Sequence, residues 1–147
     1  CYAEIKNMWL YKAEKTFLAR LKHGDDLITA IRDVFKSNEI KMGVFMAIGA
    51  VKNARIAFYD QQRHLYIEKD IDEPAEILSC VGNISEKEGE TFAHAHITLG
   101  MANGSSKGGH LLEGTTIFAC ELYGAALEGE QLTRHFDDVT GLMLWKC

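Results

Sequence analysis

The stretch HAHITLGMANGSSKGGHLLEG, residues 94–114, holds half of the six histidines of a 147-residue chain. His94 and His96 are one residue apart, and in a strand both imidazoles project to one face because the side-chain period is two. Phe92 and Thr98 share that face, while Ala93, Ala95, Ile97 and Leu99 point the other way. Two imidazoles on alternate positions can hold one divalent metal, and a third from a neighbouring strand, His110, completes a three-ligand site with an open position. Neutral imidazole suits zinc and its neighbours. Spacing alone leaves a structural reading open: His-x-His arises by chance, and a histidine after two glycines is also at home in a turn. His23, His64 and His135 have no partner at ligand spacing and read as surface or loop residues.

For His110 to join the pair, it must face the same way. A two-residue turn at Asn103-Gly104 would pair residue 102 with 105 and His96 with Leu111, leaving His110 opposite Ile97 and turned away. A one-residue offset is required. The sequence offers a bulge at Gly108-Gly109, where glycine tolerates positive φ, or a longer loop.

Other chemistry is sparse. Glu113, Glu121 and Arg134 have the side-chain types for acid/base work or substrate orientation, with Glu113 and Arg134 the candidates for groups supporting a metal. Each also reads as a surface charge, and Arg134 in LTRHFDD has Asp137 and Asp138 nearby as ion-pair partners. GAVKNAR lacks the Gly-Lys-Ser/Thr ending of a phosphate loop, NGSSKGG lacks its strand-then-helix setting, and no serine sits in G-x-S-x-G.

The elements that must position these residues are mostly strands. KTFLARLKHG reads as a strand ending at His23-Gly24. GDDLITAIRDVFKSNEI is the clearest helix, with Asp25 as N-cap and Leu27, Ile28, Ile31, Val34 and Phe35 at helical spacing. GVFMAIGAVKNARIAFYD holds two apolar runs broken at Gly49-Ala50, as in a strand that bends or bulges. RHLYIEKD, AEILSCVGNIS, TFAHAHITLG, TTIFACELYG and TGLMLWKC continue in strand style. The expected fold is α+β: a twisted, mostly antiparallel, partly barrel-like sheet with one main helix packed on it, forming a single domain over residues 1–147.

Composition narrows the classes. No apolar run approaches the ~20 residues that span a bilayer, and the opening CYAEIKNMWLYKAEK does not read as a cleavable signal, so a cytoplasmic protein is expected. Cys1, Cys80, Cys120 and Cys147 form no C-x-x-C pair. Cys80 and Cys120 sit in apolar runs that suit buried, inert thiols, and the terminal pair could bridge only if the ends met. A net charge of −5 with dispersed basic residues argues against tight binding of DNA by this chain alone.

AIGAV (47–51), EILSCVGNIS (76–85), HAHITLG (94–100) and GGHLLEGTTIFACELYG (108–124) stand in the order seen in prokaryotic members of the PPC family, the plants-and-prokaryotes-conserved domain. The resemblance spans about Lys15 to Trp145. It implies a twisted antiparallel sheet with a packed helix and a homotrimer built through the sheets. In plants this domain follows Arg-Gly-Arg-Pro segments that read the DNA minor groove, and this sequence has none. At the level of fold it also resembles acetolactate decarboxylase, whose zinc is held by a His-x-His pair and a third histidine; those roles fall on His94, His96 and His110. Three readings follow: an oligomeric zinc-binding interaction module, a metal-dependent enzyme acting on a small carbonyl or hydroxy-acid substrate, and a DNA-associated regulatory protein.

Overall fold

The structure, a computed structural model, describes residues 8–146. Its elements are β1 (Lys12–Leu21), α1 (Leu27–Ser37), β2 (Gly43–Asp60), β3 (Leu65–Ile71), β4 (Ala75–Lys87), β5 (Glu90–Gly100), β6 (Ser106–Leu111), β7 (Thr116–Glu128), β8 (Thr133–Asp137) and β9 (Leu142–Trp145). The α+β class and the mostly antiparallel sheet are as expected. Among the named strands, only the short β4–β8 pairing is parallel.

Helix α1 buries Leu27, Ile28, Ile31 and Phe35, the apolar stripe that the sequence shows. Its N-cap is Asp26 rather than Asp25. One carboxylate oxygen of Asp26 accepts from the Thr29 amide at 3.1 Å. The other accepts from the amides of Gly114 and Thr115 at 2.7 and 3.1 Å. Asp26 therefore fixes both the start of α1 and the β6–β7 connection, whereas Asp25 is exposed. Phe35 meets Phe17 edge-on at 5.2 Å, and the core continues through Phe45, Ile84, Leu99, Ile117 and Leu122. Cys80 and Cys120 are buried there as free thiols. Burial pushes their pKa values up to about 12 and about 11. Cys1 and Cys147 lie outside the described residues.

The two apolar runs around Gly49 are one 18-residue strand, β2. Its register against β4 shifts between Ala47 and Gly49. Gly49 has φ 147°, and a Cβ there would run into the Ala119 carbonyl, so glycine is required. The first half of β2 lies between β4 and β7, and the second half meets β3 and β6. Because β6 also pairs with β5, and β5 with β4, strands β2, β6, β5 and β4 close a partial ring. That is the extent of the barrel-like character; the remaining strands extend from it as an open sheet. Two strands lacked a clear sequence pattern: β6, with its two glycines, and β8, only 5 residues long.

No helix among the described residues is long and apolar enough to cross a membrane.

Candidate metal centre

Strand β5 alternates as the sequence requires: Ala93, Ala95, Ile97 and Leu99 are buried, and His94 and His96 face the other side. The hairpin into β6 then pairs His96 directly with His110, Ile97 with Gly109 and Thr98 with Gly108. The offset that the site needs comes from the loop, since no register shift interrupts this ladder. The Met101 amide donates to the Ser105 carbonyl at 2.8 Å and the Gly104 amide to the Met101 carbonyl at 2.9 Å. This encloses a three-residue loop, Ala102-Asn103-Gly104, with Gly104 at φ 81° as such loops demand. The Asn103 side chain accepts from the Ser105 amide at 3.0 Å and braces it. An odd loop in place of an even one turns His110 to the histidine face.

Gly108 and Gly109 have a different role from the expected bulge. Neither has a positive φ. A Cβ on Gly108 would stand 2.6 Å from the Ile97 carbonyl, and one on Gly109 the same distance from the Ala57 carbonyl. β6 is wedged between β5 and β2, and bare backbone lets it fit.

The three rings form a cluster. Centroids are 5.1 Å apart for His94–His96 and His94–His110, and 5.6 Å for His96–His110. One ring nitrogen from each lies within 4.8 Å of the others, a grouping that could hold a metal ion. Tyr66 of β3 stacks on His110 at 4.9 Å. His110 Nδ1 is buried with no hydrogen-bond partner. Such an atom costs about 1–3 kcal/mol, a penalty that coordination to a cation removes. Burial lowers the pKa of His94 and of His110 to about 4, helped by neighbouring imidazoles and by Arg134. Both rings are therefore neutral near pH 7, the state in which imidazole donates a lone pair.

The cluster opens into a cleft of about 690 Å³ lined by β2, β5 and β6 on one side and by Arg134 and Leu142–Leu144 on the other. Arg134 is 7% exposed. Its Nε donates to Ser85 Oγ at 3.1 Å, and its terminal nitrogens donate to Asn83 Oδ1 at 2.9 Å and the Met143 carbonyl at 3.1 Å. The guanidinium also lies 5.3 Å from the Phe92 and Trp145 ring centres. Neither Asp137 nor Asp138 is an ion-pair partner within 4.0 Å; Asp137 instead accepts from the Thr140 amide and hydroxyl.

Of the remaining candidates, Glu113 lies away from the cleft, exposed and 3.8 Å from Arg32 of α1. Glu121 is exposed on β7, opposite Arg20 and Ile48. His23 does not line the cleft; its Nδ1–H donates to the Phe118 carbonyl oxygen at 2.7 Å. Sequence reading placed Phe92 on the histidine face and missed Tyr66, Asn83 and Ser85. Asn83 had a signal only once the register was known, since it lies directly across from His94.

A family model described as the Plants and Prokaryotes Conserved (PCC) domain matches residues 10–128. No curated protein gives a significant match. Among solved structures, a metal-containing protein from Archaeoglobus fulgidus is 40% identical, covering 96% of this chain and 99% of its own, with TM-score 0.91. A candidate DNA-binding protein from Bacteroides thetaiotaomicron is 26% identical, covering 95% and 98%, with TM-score 0.82. Acetolactate decarboxylase from Bacillus subtilis subspecies spizizenii shares the fold alone, at 10% identity, 84% and 56% coverage and TM-score 0.56.

Proposed function

The chain belongs to the Plants and Prokaryotes Conserved domain family, and from that premise we propose that it is a metal-binding member, carrying zinc or a similar divalent ion on His94, His96 and His110. The observation that carries this reading is the buried, partnerless Nδ1 of His110 inside a cluster of three imidazoles. The Archaeoglobus fulgidus relative, described as metal-containing, supports it. Among the described residues no Cys, Asp or Glu joins the group as a fourth ligand. The set therefore matches an open centre facing a cleft better than a closed structural one. Zinc on three histidines supplies Lewis-acid polarisation of a ligand oxygen.

Self-association is the second part of the proposal. Leu18, Tyr123, Met46 and Val81 are exposed and stand directly opposite one another across β1, β7, β2 and β4. The same row continues from Val81 to His96 and on to His110. An apolar row of this kind is costly to leave in water and supports assembly of like chains, a homotrimer by family resemblance, with the metal cluster beside the covered face. The DNA-associated reading is favoured by the descriptions of two of the similar structures, but the net charge of −5 weighs against it.

Metal content of untagged protein, measured beside the His94→Ala/His96→Ala double variant, tests the proposal. About one ion per chain, lost in the double variant, supports it. No metal in either protein after zinc is offered overturns it. Sedimentation of wild type against Met46→Glu tests the assembly: an oligomer that the glutamate dissociates is expected, and a wild-type monomer overturns it.

A further inference from the structure

The charge around the histidine cleft is one-sided. The chain has 21 acidic against 16 basic residues, yet no aspartate or glutamate lines the cleft, whereas Lys87 and Arg134 both do. The parallel β4–β8 pairing sets these two cations directly side by side. Both approach the same Phe92 ring, Lys87 Nζ at 5.0 Å and Arg134 at 5.3 Å. Like charges placed opposite one another on a sheet repel, and a guanidinium is seldom so buried without a carboxylate. Arg134 has only neutral acceptors, Ser85, Asn83 and the Met143 carbonyl, and no carboxylate within 4.0 Å among the described residues. Glu90, opposite Lys87 in register, is turned to Lys36 at 3.3 Å.

Three bonds to neutral groups fix the guanidinium in place and still leave some of its five N–H donors uncommitted. Asn83, which holds one end of it, faces His94 across β4 and β5. A pre-positioned cation therefore stands beside the imidazole cluster with its charge unbalanced. An anion in the cleft would balance it and accept the remaining donors, as carboxylates do with arginine. The rest of the wall is largely aromatic and aliphatic, including Phe58, Tyr66, Phe92 and Leu142. Such a wall, in a cleft of about 690 Å³, suits an organic molecule with one charged end better than a hydrated inorganic anion.

We propose that the cleft binds a small organic carboxylate, gripped at its carboxylate by Arg134 with Lys87 alongside, its organic part lying against the aromatic wall near the histidines. This deepens the reading of the cleft as the functional site, but the grip on the carboxylate comes from the chain's own cations and is present without metal.

The test is titration of metal-free wild-type protein with lactate, and in parallel with lactamide and inorganic phosphate, followed by NMR shifts of the histidine and Arg134 side chains. Saturable binding of lactate, no binding of lactamide and weaker binding of phosphate are expected. In Arg134→Gln lactate should bind at least about tenfold more weakly, the loss of a charge-assisted hydrogen bond. Arg134→Lys should recover part of it if Arg134→Gln is poorly folded. Equal binding of lactate and lactamide, phosphate binding as tight as lactate, or unchanged affinity in Arg134→Gln would each overturn the proposal, as would no lactate binding. Repeating the titration with zinc separates the two readings: Arg134-dependent binding that ignores zinc keeps the carboxylate site even if the metal proposal fails.

Discussion

His96 and His110 are direct partners across the β5–β6 ladder, and their pairing is set by Met101 and Ser105 closing the loop between the strands. With Ala102-Asn103-Gly104 as a three-residue connection, both imidazoles fall on one face. Deleting Ala102 leaves Asn103-Gly104 as a two-residue turn closed by the same Met101–Ser105 pair, so β6 keeps its register and its faces. The expected result is a chain that keeps its metal retention and most of its stability, because His110 stays opposite His96 and Leu111 stays in the core. Metal analysis and thermal unfolding of the deletion variant check this.

Gly109 should tolerate no side chain. Gly109→Ala places a methyl 2.6 Å from the Ala57 carbonyl, and moving β6 to relieve it should cost about 1–3 kcal/mol. Since the shift carries His110 with it, zinc affinity should fall along with stability. Denaturant unfolding and a zinc titration of the same variant measure the two effects.

Acid should weaken the metal-free protein before ordinary carboxylate titration is complete. His94 and His110 have folded pKa values of about 4 against an ordinary 6.5. The unfolded chain therefore binds more protons between those values, and stability falls as pH drops from about 6.5 to about 4. The contribution is fully present above that window. Urea midpoints across pH 4–7, compared with His94→Gln/His110→Gln, should show a shallower slope in the variant.

Asp26→Ala should destabilise more than a simple cap loss. The N-cap itself contributes about 0.5–2 kcal/mol. Here the Gly114 and Thr115 amides lose their acceptor as well, so a total of about 2–4 kcal/mol is expected. Asp26→Asn should recover part of it. Thermal unfolding of the two variants checks the order.

Removing metal should lower the melting temperature. A ligand at about a hundredfold its Kd adds about 2.7 kcal/mol, which for a chain of this size is about 5–10 °C. A chelator should produce that drop in wild type and none in His94→Ala/His96→Ala. Scanning calorimetry with and without zinc measures it.

Much of this was legible in the sequence. Helix α1 announced itself because its apolar residues repeat at helical spacing, and β5 because it alternates cleanly; the His94 and His96 face followed from that alternation alone. The cap was misplaced by one residue because Asp25 and Asp26 are chemically equal, and only the distant amides of Gly114 and Thr115 distinguish them. Gly108 and Gly109 suggested a bulge because local sequence cannot show that two flanking strands press on them. Arg134 was visible as a residue type, but its ion pair with Asp137 or Asp138 was the natural local guess. The parallel β4–β8 pairing that brings it to Asn83 and Ser85 is non-local, and β8 is too short to declare itself.

The central claim is that three histidines hold one ion. Crystals grown with zinc and measured on either side of the zinc absorption edge test it most directly. The account predicts one anomalous peak per chain, about 2.0–2.1 Å from a nitrogen of each of His94, His96 and His110. No peak among those rings, with zinc present in the crystal, would contradict it.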